Sequence, residues 1–221
     1  MATSFHGWPS EAFAFYRDLE ADNTRSFWHA HQATYEEDVK APFEAFSDLV
    51  AEEFGPLKIF RPNRDVRFSK DKTPYKTRCY GVTEGEKGEA YYLELNGFGM
   101  VAASGYWMMA KDQLERYRAA VDDEASGLAL QRAIAAVEKN KLRLEGEALK
   151  TAPRGWPRDH PRIELLRRKS LAGMRTFDEA AWMRAKGALR RLTDVWRAGR
   201  PLNEWLGEHV GPSTEAPASE W

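Results

Sequence analysis

A chain of 221 residues, 43% hydrophobic and 30% charged, carries ample material for one core. Its formal net charge of −1 excludes the broadly basic face of a general nucleic-acid binder. No apolar run approaches the ~20 residues that cross a bilayer, and Met1–Trp8 lacks a basic-then-apolar leader, so neither a membrane partner nor secretion is expected.

The only cysteine, Cys79, cannot form an intrachain disulfide, which predicts a reducing, cytoplasmic setting. Eight Trp predict a bulky aromatic core.

In chain order, Ser10 is placed to cap a first helix after Pro9, with Ala12, Phe15, Tyr16 and Leu19 on one stripe. Asn23 or Thr24 caps the next, whose stripe is Trp28, His31 or Gln32, Tyr35 and Val39. Pro42 either kinks that helix or opens a new one, and Phe43, Phe46, Val50 and Phe54 extend the stripe to Gly55-Pro56. Glu36, Glu37, Asp38, Glu44, Asp48, Glu52 and Glu53 form an acidic, solvated outer face.

The apolar period then falls from 3.6 to 2. Leu57–Phe60, Asp65–Phe68, Thr77–Val82, Ala90–Asn96 and Phe98–Gly105 read as strands. Glu84-Gly85-Glu86-Lys87-Gly88 and Asn96-Gly97 read as hairpin connections, which makes the sheet mostly antiparallel. Helices return near Lys111, with Leu114, Tyr117 and Val121, then Leu130, Ile134 and Val137, facing inward. Residues 141–156 show no clear period. Asp159 or His160 is placed to cap a short helix beginning with Pro161, and Leu171–Arg175 reads as a further strand. A long helix is expected from Asp178, carrying Trp182, Ala185, Leu189, Leu192 and Trp196 inward. Leu202, Trp205 and Leu206 then close the fold, and the Pro- and Ser-rich tail 211–221 is expected to be disordered. The reading is a single α+β domain over residues 1–210, with about five mostly antiparallel strands between N- and C-terminal helices.

One stretch stands apart. Arg61–Arg78 holds seven cations against two anions, a local net of +5. If Arg64–Phe68 is a strand, Val66 and Phe68 mark its core side, and Asp65 and Arg67 point the other way. A following turn with Lys70, Lys72, Tyr75 and Lys76 would present N–H groups among cations, an arrangement suited to an anion. Arg154–Arg175 holds another seven cations against Asp159 and Glu164. The candidate ligand-binding residues are therefore Arg64, Arg67, Lys70, Lys72, Tyr75 and Lys76, with Arg175 and His160 as secondary members. The bland counterpart is that these cations simply pair with carboxylates, worth about 0–1 kcal/mol each when exposed.

Other chemistry is sparse. His29 and His31 are two apart on a helix and do not share a face as metal ligands would. His160 reads first as a capping or packing residue, and Cys79 as a small buried hydrophobe. Asp65, Asp71 and Glu94 offer acid–base groups, and Tyr75 and Tyr92 offer hydroxyls to orient a ligand. The sequence holds no nucleophile elbow, phosphate loop or dinucleotide glycine fingerprint, so no cofactor, metal or catalytic residue is assigned.

Three blocks resemble the bacterial and fungal family called domain of unknown function 2461. They are Asn23–Trp28 with Tyr35 and Pro42-Phe43; Arg64–Thr77 followed by Tyr91-Tyr92-Leu93; and Asp159-His160-Pro161 with Glu164-Leu165-Leu166 and Lys169-Ser170. The resemblance implies an α+β fold and brings no established activity. Leu171-Ala172-Gly173 departs from the bulkier residues it would lead one to expect. The expected function is binding of a phosphate- or carboxylate-bearing small molecule at the basic strand–turn motif. The alternative is an interaction module that docks a protein or nucleic acid without chemistry. Whether the protein is an enzyme, and its oligomeric state, are not readable from the sequence.

Overall fold

The computed structural model describes residues 4–67, 69–83, 85 and 88–215. Apolar spacing explains the first helices. α1 (Ser10–Ala21) buries Ala12, Phe15, Tyr16 and Leu19, the stripe the sequence shows. Its cap differs from expectation: Pro9 holds the capping position, and the Ser10 hydroxyl instead donates to Glu11. α2 (Arg25–Thr34) is capped by Thr24, which accepts from the Phe27 N–H at 3.2 Å. His31 and Gln32 do not join its stripe. Both are exposed, and His31 stacks on Phe27 at 4.1 Å.

α2 then passes through one wider, π-type turn, Tyr35–Lys40, where Ala41 donates five residues back to Glu36. Pro42, which has no N–H to give, sits in the first turn of α3 (Ala41–Phe54). The wider turn keeps Tyr35, Val39, Phe43 and Phe46 all buried in spite of the interruption.

The sheet has six strands in the order β1-β2-β3-β4-β6-β5, every pair antiparallel. They are β1 (Leu57–Ile59), β2 (Arg78–Thr83), β3 (Tyr91–Asn96), β4 (Gly99–Tyr106), β5 (Arg143–Glu145) and β6 (Leu171–Asp178). At the β3–β4 hairpin, Asn96 Oδ1 accepts the N–H groups of Phe98 and Gly99, so the side chain of the expected turn residue closes the turn. Of the expected loop at 84–88, Glu84, Glu86 and Lys87 lie outside the described residues.

α4 (Lys111–Asp122) and α5 (Glu124–Lys139) bury Tyr117, Val121, Leu130 and Val137. α6 (Ile163–Leu166) is a single turn. Neither Asp159 nor His160 caps α6; the His160 ring accepts from the Arg162 N–H at 3.0 Å, just before it. The long helix expected from Asp178 begins later. β6 runs to Asp178, a 3-10 turn covers Ala181–Arg184, and α7 spans Gly187–His209, continuing through Pro201. Trp182 and Ala185 therefore precede the helix instead of lining it. Gly211–Glu215 lie along α4, where Gln113, Arg116 and Asp112 bond them; residues 216–221 lie outside the described residues.

Helices α1, α3, α5 and α7 all pack on one face of the sheet. That face carries Cys79, Leu93, Leu95, Met100 and Ala102, each nearly inaccessible. Trp196 of α7 is fully buried there and donates to the Tyr92 carbonyl at 3.0 Å. Gly199 lets α7 approach β4 closely, since a Cβ would lie 1.6 Å from Ser104 Oγ. Among the described residues no helix is long and apolar enough to cross a membrane.

The loop between β1 and β2 is fastened to α1 and α2. Asn23 donates to the Tyr75 carbonyl at 3.0 Å and accepts from its N–H at 3.1 Å. The Tyr75 ring lies flat on Trp28, centroids 4.3 Å apart at 12°. Removing both hydrogen bonds with Asn23→Ala should cost about 1–3 kcal/mol. Urea unfolding measures it; a loss under about 0.5 kcal/mol, the range of an ordinary surface change, would mean the clasp does not hold the loop.

Candidate functional site

The basic segment is not a strand. The Asp65 carboxylate turns back to accept the Arg67 N–H at 3.1 Å, and Asp71 does the same for the Thr73 N–H at 3.0 Å. These local bonds satisfy backbone groups that a strand would pair across a ladder. Among the described residues, Asn63 and Tyr75 form the one isolated bridge across the loop, with Arg64 N–H donating to the Pro74 carbonyl. Val66 is half-buried rather than core, and Phe68 lies outside the described residues.

Arg64 and Arg67 are engaged within the segment. Arg67 grips Asp65 through Nε at 3.0 Å and Nη2 at 2.6 Å. Arg64 pairs with Asp71 and donates to the Thr73 hydroxyl at 2.6 Å. Hydrogen bonds from Arg67 hold the Asp65 carboxyl down to about 2; those from Thr73, then Arg64, do the same for Asp71. Lys72 reaches the Val66 carbonyl at 2.8 Å, and Lys70 is exposed. Tyr75 is buried against the helices.

Lys76 has a different fate. Tyr75 and Cys79 are buried toward the helices, Thr77 between them is an exposed bend, and from Arg78 the strand alternates, so Arg78, Tyr80 and Val82 face outward with Lys76 laid over the Tyr80 ring. Register then places Phe60, Tyr80 and Glu94 in one row across β1, β2 and β3, with Lys58, Val82 and Tyr92 in the next. Phe60 and Tyr80 stack at 4.8 Å and 21°. Three cations lie over this pair: Lys76 at 4.9 Å from the Tyr80 centroid, Arg78 at 5.5 Å from the same ring, and Lys58 at 5.7 Å from Phe60. Lys76 is pinned further by donation to the Arg61 carbonyl at 3.0 Å.

Beside them lies Glu94, 8% exposed. Its carboxyl accepts from the Tyr92 hydroxyl, from Asn96 Nδ2 at 3.1 Å, and faces Arg78 Nε at 3.5 Å. Burial, then the Glu94 charge, raises the Tyr92 hydroxyl above its ordinary value, so it stays a donor. Burial also pushes the Cys79 thiol up to about 12, which keeps it protonated on the helix side. Among the described residues, no cluster of His, Cys, Asp and Glu is arranged to hold a metal.

The two basic stretches do not meet. His160 sits 3.0 Å from Asp122 at the end of α4, Arg167 pairs with Glu164, and Lys169 pairs with Glu147. Arg175 is on β6 opposite Ala102, on the helix-bearing face, with its guanidinium 4.8 Å from the Phe177 centroid. Of the candidate ligand-binding residues, only Lys76 joins the outer-face group; Glu94 and Tyr92, noted for acid–base chemistry and ligand orientation, lie beside it. Lys58, Phe60, Arg78, Tyr80 and Asn96 were not singled out as ligand contacts. The available signal was the two-residue alternation of Lys76, Arg78 and Tyr80.

The Asp65 and Asp71 pairs make a pH prediction. Their folded values lie below the ordinary carboxylate value near 4, so whatever order they lend the loop is present above that value and lost as pH falls through about 2. Carboxyl-carbon NMR should show both titrating near 2; midpoints near 4 would mean the pairs are not formed in solution.

No curated protein and no solved structure matches this chain. A family profile does match, over residues 11–205, and the chain belongs to that family, described as conserved hypothetical protein (DUF2461).

Proposed function

We propose that the protein binds a small anionic molecule, bearing phosphate or carboxylate, on the outer face of the sheet at Lys76 and Arg78. The observation that carries this reading is how those cations are held. Arg64 and Arg67 are held by carboxylates, which cancel their charge. Lys76 is held over the Phe60 and Tyr80 rings and Arg78 over Tyr80, which attract a cation without neutralising it. The rings fix position while the ammonium and guanidinium groups keep donors for a ligand. Glu94 offsets part of the charge on Arg78 and, with Asn96, supplies groups for a ligand hydroxyl or amine.

A nucleic-acid strand would require ring faces on which bases stack. Phe60 and Tyr80 already turn one face of each ring to the other, which favours the small anion over the docking alternative. The single buried thiol fits a reducing, cytoplasmic setting for that role.

The test is a thermal-shift and calorimetric screen of phosphorylated metabolites and polycarboxylates. A ligand at 100 times its Kd adds about 2.7 kcal/mol to stability. Lys76→Ala and Arg78→Ala should each weaken a hit about tenfold or more, the loss expected for a charged hydrogen bond, while Arg67→Ala leaves it unchanged. Stabilisation only by long polyanions, erased by moderate salt, would replace this reading with a docking surface.

A further inference from the structure

The second basic stretch has a use that the outer-face site does not absorb. Within Arg167-Arg168-Lys169, the flanking cations are paired, Arg167 with Glu164 at 2.8 Å and Lys169 with Glu147 at 3.2 Å. Among the described residues, no carboxylate lies within ion-pair distance of Arg168. Arg168 lines an open hollow of about 570 Å³ beside the edge strand β5, together with Lys141, Arg143, Glu138, Leu142 and Leu144. Lys141 and Arg143 likewise have no ion-pair partner among the described residues, and Glu138 pairs with neither.

The three cations come from three segments, each fixed by backbone bonds. Arg168 is bridged to Ala148, and its neighbours tie down 147–149 through Leu149 N–H to Arg167 and Lys169 N–H to Glu147, both 2.8 Å. Arg143 is paired with Met174 in the sheet. Lys141 closes the end of α5, its N–H on the Glu138 carbonyl at 2.9 Å.

Lys141 is also the only non-glycine residue at positive φ among the described residues, at 63°. Helix ends favour glycine there, because a Cβ is strained in that conformation. Here a lysine occupies the strained position and adds its charge at the hollow. Strain kept at such a place is a recognised mark of function over stability.

We propose that this hollow is a second anion site, separate from the outer-face group, and that it takes a soluble phosphorylated small molecule. Two guanidinium forks and one ammonium match the several oxygens and near-double charge of a phosphate. Leu144, half-buried at the edge of the hollow, offers apolar surface for the organic part of the ligand.

The test titrates the full-length protein by calorimetry with inorganic pyrophosphate and with a phosphorylated sugar, using the unphosphorylated sugar as a blank. Arg143→Ala and Arg168→Ala should each weaken pyrophosphate about tenfold or more, and Lys76→Ala should leave it unchanged. Lys141→Gly should move two readouts in opposite directions: weaker binding and a higher thermal midpoint, because strain and charge leave together. The idea is overturned if these variants bind pyrophosphate like the parent, or if the exposed control Lys186→Ala loses as much. A loss confined to Lys76→Ala would place pyrophosphate on the outer face and also overturn it. Each variant is checked by its unfolding midpoint, and Arg143→Gln replaces Arg143→Ala if that protein does not fold.

Discussion

The grip of Asn23 on the backbone of Tyr75 is the constraint from which the outer face follows. Two hydrogen bonds and the flat Trp28 contact fix one residue of a long loop against the helices. In an extended chain the next side chain points the opposite way. With Tyr75 inward, Lys76 faces outward; an exposed bend at Thr77 follows, and Arg78 and Tyr80 then share the outer face of β2. A shift of one residue would put Lys76 and Arg78 into the core and Tyr75 and Cys79 into water, which no burial balance would tolerate. The clasp therefore sets the chemistry of a face it does not touch.

Two ways of holding a cation coexist within one short segment, and they have different consequences. Carboxylates hold Arg64 and Arg67 inside the loop, where the pairs are exposed and contribute order more than stability. Rings hold Lys76 and Arg78; the charge on Lys76 is left available, and Glu94 offsets part of that on Arg78. A count of charges along the sequence treats all of them alike. Only the fold separates the cations already answered within the protein from those able to meet a ligand.

Much of the fold was legible. The stripe Phe43, Phe46, Val50 and Phe54 and the alternation through β3 and β4 are direct consequences of burying one face. What failed did so where local side-chain chemistry competed with pattern. Asp65 and Asp71 satisfy nearby backbone groups, so an alternating segment became a loop. β5 was invisible because Arg143 and Glu145 are exposed around one half-buried residue, Leu144, too short a run to show a period, and it pairs only along the edge that β6 offers. Trp182 looked like a helix position because Trp196 and Leu192 share its spacing, yet β6 continues to Asp178 and defers the helix. The site was legible as a charge excess, and its members were not, since ring–cation pairing depends on which residues from β1 and β2 register opposite each other.

Packing every sheet-covering helix on one side has a further effect on charge. The acidic residues Glu36, Glu37, Glu44 and Glu52 ride exposed on the helical layer, while Lys58, Lys76 and Arg78 sit on the other side of the sheet. A chain of formal net charge −1 can then present a positive face without being basic overall. An approaching anion responds to charges within about one Debye length, roughly 8–10 Å at physiological salt, and is largely screened from those beyond it. The near-zero net charge therefore argues only against a partner that covers the whole surface. It places no restriction on a ligand small enough to meet a few fixed cations, which is why the neutral composition and the local basic sites belong to the same reading.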